Sequence, residues 1–285
     1  MVKTIIIDTD IGYDPDDLFA LLLALKLPEV EIALIATADE VGNKRAVFTK
    51  MILEMAGRDD IEVVRGVDLG NESNIVVDEL IQGKTYAIEG DYVNAIKKVV
   101  DSKSAVTYLG IGGFTNLAGF LKAHPDYLNK LEIFMMGGAI NYSRHEEWAE
   151  HNIKIDKESA MFVLNTGGPI SLVMAQTTFQ DEYEISTNHP IFKKLKTSGY
   201  QPYEVLARHL ELFHKKKNAF WPKMHDPLTL ATAIGKDFVT LRKSKISIHD
   251  GGEMSLDENG KEIYWSDPVS KKKEFMEFLE GRLFS

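Results

Sequence analysis

Five carboxylates lie within ten residues near the start of the sequence, and this density is the strongest chemical signal in the chain. They are Asp8, Asp10, Asp14, Asp16 and Asp17. Carboxylates so close together repel one another unless protons or a cation relieve the repulsion. Calcium accepts irregular cages of about six to eight oxygen ligands, whereas magnesium usually keeps several waters and works with phosphate. We therefore expect a calcium site, with magnesium as the second choice.

Three of these aspartates also have a structural explanation. Asp14 is a favourable N-cap and Pro15 suits the first position of a helix. Asp16 and Asp17 would then lie in the first turn, where the helix dipole favours negative charge. This explanation leaves out Asp8 and Asp10, which stand at the end of an apolar strand and still need a cation or a proton.

A rival interpretation starts from the same strand. An apolar strand followed by Asp-x-Asp also begins phosphatases of the haloacid dehalogenase type, which use the first Asp as a nucleophile. Those enzymes usually carry Thr or Val two residues after the second Asp, where this chain has Gly12. The match to that family is therefore poor.

A second family matches more of the chain. The segment from Asp8 to Leu25 resembles the signature of the nucleoside hydrolases, in the variant with two extra residues before the double Asp. Five further stretches follow in the order of that family. They are Gly42-Asn43, Gly113–Ala118, Met136–Gly138, Ala149–Asn152 leading to Asp156, and His225–Pro227. Together the stretches span about three-quarters of the chain, and their common order makes the resemblance specific.

The resemblance implies a calcium-dependent enzyme that hydrolyses the N-glycosidic bond of a ribonucleoside. The implied calcium ligands are the side chains of Asp10, Asp17 and Asp226 and the backbone carbonyl of Thr115. Asp8 would support this loop from behind. Calcium held in this way could bind the 2′- and 3′-hydroxyls of ribose together with a water molecule. Asp10 is then the expected general base, and 2′-deoxynucleosides are expected to be poor substrates.

Substrate contacts follow from the same resemblance. Asp16, Asn43 and Asn152 would hold the ribose hydroxyls. Met136 and Glu150 would also contact the substrate, with Glu150 near the 5′-hydroxyl. Taken singly, such asparagines are equally typical of turns and helix caps.

The leaving base needs a proton or a hydrogen bond. His225 adjoins Asp226 and has an ordinary pKa near 6.5, so it is the expected donor and the second catalytic residue. Phe220 and Trp221 stand just before it and would either stack on the base or belong to the core. We assign Trp221 to the substrate site.

Four positions depart from the family pattern. Arg144 stands where the family typically has an Asn on the 5′ side of the sugar, and His151 replaces a common Phe. Gln176 and Phe179 occupy positions that often carry Asp and His. Because a guanidinium suits a carboxylate or a phosphate, Arg144 would pair with Glu150, bind an anionic group on the 5′ carbon, or lie at the surface beside neighbouring glutamates.

The elements that must position these residues follow from hydrophobic periodicity. Thr4–Ile7 and Ile32–Thr37 predict strands and Leu18–Leu27 predicts a helix, and this alternation continues through about two-thirds of the chain. The pattern predicts one α/β domain over residues 1–285: an open, mostly parallel sheet flanked by helices, with the active site at the C-terminal ends of the strands.

Two further elements are predicted near the end of the sequence. Asn259-Gly260 stands between extended segments, which is typical of a tight hairpin turn. The last periodic segment predicts a helix over Val269–Leu283 that packs on the outside of the sheet.

Composition limits the partners. The chain has 285 residues, 44% of them hydrophobic, a formal net charge of −10 and no cysteine. Such a charge repels nucleic-acid phosphates and anionic lipid, and no apolar stretch approaches the roughly 18 to 20 residues of a membrane span. We expect a cytoplasmic protein with a small-molecule substrate and without nucleic-acid or membrane partners, and the resemblance implies a homodimer or a homotetramer.

Two other functions stay open. One is a non-catalytic nucleoside or sugar sensor that keeps the cation site without turnover. The other is a hydrolase of a different N-ribosyl compound that carries a 5′ anionic group.

Overall fold

A computed structural model of the chain describes residues 2–140, 149–217 and 220–285, without the side chains of 268–270. The strands in these ranges are β1 (Lys3–Thr9), β2 (Val30–Thr37), β3 (Val63–Arg65), β4 (Val106–Gly110), β5 (Leu131–Met136), β6 (Ile170–Val173), β7 (Val239–Ile248), β8 (Met254–Leu256) and β9 (Lys261–Ser270). The helices there are α1 (Asp16–Lys26), α2 (Lys44–Met55), α3 (Tyr92–Ser102), α4 (Thr115–Ala123), α5 (His151–Ile155), α6 (Lys157–Thr166), α7 (Ala175–Thr178), α8 (Pro190–Thr197), α9 (Gln201–Lys216), α10 (His225–Ala233) and α11 (Lys272–Leu283).

The strands of the described ranges form one sheet in the order β3-β2-β1-β4-β5-β6-β9-β7-β8. Each pair from β3 to β9 in this order is parallel, and only β7 runs antiparallel to both of its neighbours. The prediction of an open, mostly parallel α/β sheet is therefore confirmed. Since ligands gather at the C-terminal ends of parallel strands, the residues that follow β1, β4, β5 and β6 are placed to form a site.

Apolar side chains pack on both faces of the sheet, because successive residues of a strand point to opposite sides. Ile5 and Ile7 pack in the cluster that contains α1, α9 and α10, whereas Ile6 packs with α3, α4 and α6 on the other face. Each buried isoleucine contributes about 1.5–3 kcal/mol relative to an exposed one. A strand covered on both faces is apolar at every position, which explains the uninterrupted isoleucines of the sequence.

The last helix begins later than the sequence predicts. Strand β9 continues to Ser270, so α11 begins at Lys272 and the predicted start at Val269 was wrong. Pairing of Ser270 with Val239 of β7 holds the end of β9 extended. In the described parts of the chain, no helix combines the length and the apolar character needed to span a lipid bilayer.

The predicted hairpin at Asn259-Gly260 was half right. The turn is present, and the N–H of Gly260 donates to the carbonyl of Asp257 at 2.9 Å. The flanking strands β8 and β9 each pair with β7 rather than with one another, so the hairpin partner was wrong. The chain crosses the backbone of Ile246 here, where a Cβ on Gly260 would lie 2.4 Å from the carbonyl group. This crossing requires glycine.

Candidate active site

A cavity of about 400 Å³ opens at the C-terminal ends of the parallel strands. The described residues of its wall are Asp10, Tyr13, Asp14, Asp16, Asp17, Ile111, Met136, Glu150, His151, Asn152, Ala175, Phe179, Phe213, Lys217, Phe220, His225 and Asp226. Asp10 follows β1, Met136 ends β5, and Ala175 begins the short helix after β6. The cavity therefore lies at the sheet edge that the sequence predicts.

Three buried aspartates come close enough to share a cation. Oxygen atoms of Asp16, Asp17 and Asp226 lie within 4.8 Å of one another. Asp16 and Asp17 open α1, and Asp226 lies in the first turn of α10. The N–H of Asp226 donates to a carboxylate oxygen of Asp16 at 3.2 Å, so the N-termini of two helices meet here. Both helix dipoles favour negative charge at this point.

The acidic cluster suits a hard cation. Burial raises the pKa of Asp16, Asp17 and Asp226 well above the ordinary value, and repulsion from neighbouring aspartates raises it further. A divalent cation would relieve this repulsion by taking the place of protons. Carboxylate oxygens are the ligands that calcium and magnesium prefer, so the residues present fit such an ion.

The helix start next to the cluster differs slightly from the prediction. Helix α1 begins at Asp16, and Pro15 precedes it. Asp14 still accepts a hydrogen bond from the N–H of Asp16, at 3.3 Å, and it also lines the cavity. Burial raises the pKa of Asp14 to about 6. Asp14 therefore lines the wall and bonds the first N–H of α1, but the prediction of Asp14 as the N-cap was wrong, because Pro15 holds that position.

Asp8 is a residue of β1, and Asp10 lies in the loop that follows the strand. Asp10 lines the cavity. The pKa of Asp226 is raised most by burial, next by the charge of Asp17, and then by the charge of Asp10. Asp8 is fully buried behind the loop, where it accepts hydrogen bonds from the hydroxyl of Tyr108 and, at 2.8 Å, from the amide of Asn116. Burial raises the pKa of Asp8 to about 7.

On the β5 side, four predicted residues line the cavity. The amide of Asn152 donates to the carbonyl of Met136 at 3.1 Å. Glu150 caps α5, since its carboxylate accepts from the N–H groups of Gly138 and Asn152, each at 3.0 Å. His151 stacks beside Tyr13 with 6.1 Å between ring centroids. Arg144 lies outside the described residues.

Three predicted residues are absent from the described wall. Thr115 opens α4, and its hydroxyl donates to Asp156 at 2.8 Å. Asn43 adopts a left-handed φ of 74° before α2 and accepts a hydrogen bond from Arg65 at 2.6 Å. Arg65 at the end of β3 thus occupies the amide oxygen of Asn43, and the contact of Asn43 with a ribose hydroxyl stays a prediction.

Trp221 is the third of these residues, and the structure differs from the prediction there. Its ring stacks on His214 of α9 with 3.6 Å between centroids, away from the cavity wall. Phe179, Phe213 and Phe220 line the cavity instead. The centroid of Phe179 lies 6.1 Å from that of Phe220 and 6.0 Å from that of the His225 ring. Together with Tyr13, these rings form one apolar side of the cavity.

His225 lines the cavity as a neutral imidazole. Its Nδ1 lies 2.6 Å from the hydroxyl oxygen of Thr178. Burial, together with the charges of Lys223 and His151, lowers the pKa of His225 to about 3. The expectation of an ordinary pKa near 6.5 was therefore wrong. A neutral ring can still donate one hydrogen bond, but it does not carry the extra proton of a general acid at pH 7.

Several residues in or near the wall could not be inferred from the sequence. Phe213 belongs to the apolar face of α9, so its periodicity predicts only core packing. Lys217 follows that helix, and its ammonium lies 4.6 Å from the centroid of the Tyr13 ring. Behind the wall, Arg45 of α2 is fully buried against Asp39. A lone arginine in a helix predicts an exposed residue, so no signal pointed to it.

Known proteins resemble this chain along most of its length. The sequence model of a family described as inosine-uridine preferring nucleoside hydrolase matches residues 5–278. The enzyme of that name from Crithidia fasciculata is 26% identical over 280 residues, which covers 90% of this chain and 86% of the relative. A pyrimidine-specific ribonucleoside hydrolase, RihA, of Escherichia coli is 24% identical over 274 residues, covering 89% and 86%. A solved structure titled as the plant nucleoside hydrolase PpNRh1 has the same fold, with a TM-score of 0.85 and 21% identity over the whole of both chains.

Proposed function

The chain belongs to the inosine-uridine preferring nucleoside hydrolase family, whose members hydrolyse N-glycosyl bonds, and we propose that it cleaves ribonucleosides into ribose and free base with a bound calcium ion. One observation carries this proposal. The buried aspartates Asp16, Asp17 and Asp226 face the same cavity as the rings of Phe179 and Phe220. The acidic side suits a cation and a polar sugar, and the aromatic side suits a planar base.

The proposed calcium ligands are the side chains of Asp10, Asp17 and Asp226, with the carbonyl of Thr115 as a fourth. When bound, calcium would hold the ribose diol and lower the pKa of a water molecule. Asp10 would take up the proton of the water that attacks the anomeric carbon. Its place in the wall, beside the other carboxylates, supports this role.

The ribose would be held by Asp16 and Asn152. Asn152 is oriented by its hydrogen bond to the carbonyl of Met136, which leaves its amide oxygen free to accept from a hydroxyl. Glu150 would face the 5′ side of the sugar. Because positive charge develops on the sugar as the bond breaks, this group of carboxylates would stabilise the transition state.

The base would lie among Phe179, Phe220 and His225. If the hydroxyl of Thr178 donates to Nδ1 of His225, the proton of the neutral ring is on Nε2. That N–H would donate a hydrogen bond to the departing base, on which negative charge develops. This role replaces full protonation, which the low pKa does not support.

The test is release of free ribose from a panel of purine and pyrimidine ribonucleosides, with and without calcium removal by a chelator. We expect calcium-dependent release that disappears in Asp10→Ala. Asp60→Ala is the control, because Asp60 is an exposed aspartate paired with Arg58. Calcium binding without ribose release from any substrate would contradict the enzyme and favour a nucleoside or sugar sensor.

A substrate with a 5′ anion is the second candidate, and Lys217 in the cavity wall favours it. Arg144, outside the described residues, is the other cation that the sequence suggests for this role. Hydrolysis of a nucleoside and of its 5′-monophosphate should be compared in the native protein, in Lys217→Met and in Arg144→Ala. A preference for the 5′-monophosphate that either substitution abolishes would establish a substrate with a 5′ anion. Equal hydrolysis of the two compounds by the native protein would exclude it.

The family resemblance and the composition also suggest a cellular setting. We place the protein in the cytoplasm, as a homodimer or homotetramer, with a role in purine or pyrimidine salvage. Light scattering of the purified protein measures the assembly, and a monomeric mass would contradict it.

A further inference from the structure

Hydrogen bonds from other segments hold the backbone of Thr9, the last residue of β1, and of the four residues that follow it. We call residues 9–13 the clamped loop, because every carbonyl oxygen in it accepts a hydrogen bond from another segment. The carbonyls of Thr9, Gly12 and Tyr13 accept from Ala38 N at 2.8 Å, Val76 N at 2.9 Å and His209 Nε2 at 3.1 Å, respectively. Those of Asp10 and Ile11 both accept from Nη1 of Arg45. The carbonyls therefore face away from the cavity.

Arg45 uses its whole guanidinium for this purpose. Besides the two loop carbonyls, it donates to the carbonyl of Asp39 at 2.6 Å, the carboxylate of Asp39 at 3.1 Å and the carbonyl of Asn74 at 3.1 Å. These bonds match the five N–H donors of a guanidinium, which lie in one rigid plane. The side chain is completely buried. It thus joins the clamped loop to the segments after β2 and around Asn74.

Two buried carboxylates hold Arg45 in place. Glu40 accepts from the N–H of Arg45 at 2.8 Å and of Ala46 at 3.2 Å, which fixes the start of α2 at the end of β2. Asp39 has a left-handed φ of 46°, and its second oxygen accepts from Asn71 at 2.6 Å. A buried guanidinium is stable only where it is paired and hydrogen-bonded, and these contacts satisfy that requirement.

We propose that Arg45 is a positioning residue, which fixes the clamped loop so that its one aspartate, Asp10, faces the cavity before any cation binds. The inference rests on the cation site of the proposed function, but not on the identity of the substrate. Ligands that are already in place need no reordering when the ion arrives, so the loss of Arg45 should weaken cation binding. Lysine cannot replace it, because a single ammonium does not present a planar fork to several carbonyls.

The test is the double variant Asp39→Asn with Arg45→Met. It removes both buried charges at similar volume, and asparagine tolerates the left-handed backbone of position 39. Calcium affinity is measured by calorimetry, and hydrogen exchange of the clamped loop is measured in the calcium-free protein. We expect calcium to bind about 10- to 100-fold more weakly, as for other residues that orient metal ligands, and the loop amides to exchange faster. Ribose release should return at saturating calcium.

Met51→Ala is the matched control. Met51 is buried in the same helix and lies outside the clamped loop, so this variant loses stability without losing the loop contacts. Its calcium affinity should stay within about twofold of the native value. An equal loss of affinity in Met51→Ala and the double variant would overturn the inference, because general destabilisation of α2 would then explain both.

Arg45→Lys keeps the charge and decides the question if the double variant does not fold. We expect a loss of calcium affinity and faster loop exchange in this variant as well. Native affinity together with native exchange would overturn the inference. If the native protein binds no calcium, the cation site of the proposed function is contradicted. The role of Arg45 is then tested by hydrogen exchange alone, and exchange of the clamped loop that is unchanged by Arg45→Lys would overturn it.

Discussion

The two sides of the cavity are built differently. The acidic side consists of buried aspartates at the starts of α1 and α10, together with Asp10 of the clamped loop. The aromatic side combines Tyr13 of the clamped loop with Phe179, Phe213 and Phe220, and Phe220 is 44% exposed. The groups proposed for cation and sugar are therefore buried carboxylates, whereas one of the rings proposed for the base is partly open to solvent. Chemistry and base preference should therefore be separable by mutation.

The largest effect is expected on the acidic side. Asp17→Asn should lower ribose release by about 1,000-fold, which corresponds to about 4 kcal/mol, because a proposed cation ligand is lost. The calcium-free variant should also unfold at a higher temperature than the calcium-free native protein, because one buried charge is removed from a repelling cluster. Kinetics and thermal unfolding with and without calcium measure both effects. Stabilisation of the variant by calcium to the native extent would show that Asp17 is not a ligand.

A smaller effect is expected on the aromatic side. Phe179→Ala should raise KM by about 10- to 30-fold through lost contact with the base, while calcium affinity stays unchanged. Phe220→Ala is the comparison, and its effect should be weaker because Phe220 is partly exposed. Steady-state kinetics and calorimetry separate the two quantities. A parallel fall in calcium affinity would mean that the two sides are not independent.

The third prediction concerns pH and the acidic side. Burial lowers the pKa of His209 to about 3, against about 6.5 in the unfolded chain. Between pH 6.5 and pH 3 the His209 imidazole binds a proton in the unfolded chain but not in the folded protein. The contribution of this group to the free energy of unfolding is therefore fully present above pH 6.5 and is lost as the pH falls toward 3. His209 contributes about 1.4 kcal/mol per pH unit to the slope, and His209→Gln should lower the slope by this amount. Chemical unfolding at several pH values measures the slope of both proteins, and an NMR signal assigned to the His209 imidazole that titrates near 6.5 would refute the prediction.

The smallest effect is expected at Trp221. Because its ring stacks on His214 and does not line the cavity, Trp221→Phe should change KM by less than about twofold for every nucleoside. The same substrate panel measures this. A large change for purines alone would return Trp221 to the base site and extend the aromatic side toward α9.

The sequence was informative where local chemistry decides the structure. Runs of β-branched residues predict the parallel strands, and the family resemblance implies that Asp10, Asp17 and Asp226 belong to one site. The strand prediction succeeded because strands follow from neighbouring residues, and the three aspartates all line the cavity. The position of Trp221 could not be inferred in this way, since α9 determines where its indole packs.

Arg45 shows the limit more sharply. Three of its five acceptors, the carbonyls of Asp10, Ile11 and Asn74, come from segments that are distant in sequence and meet it only in the folded chain. These acceptors are not visible in the sequence, where a single charged residue in a helix predicts an exposed side chain. The side chain of Arg45 is nevertheless completely buried. The pairing of β8 and β9 with β7 could not be predicted for the same reason, because the turn sequence specifies the bend but not the strand with which each segment pairs.

The position of β9 between β6 and β7 has a consequence during synthesis on the ribosome. Its Ser266 hydroxyl accepts from the N–H of Met174 at 2.8 Å and bonds Thr177, residues about 90 positions earlier that lead into Phe179. A nascent chain released up to α10 has every aspartate of the acidic cluster but lacks the strand that supports the aromatic side. A ligand that contacts both sides of the cavity would therefore stabilise only a chain that already includes β9.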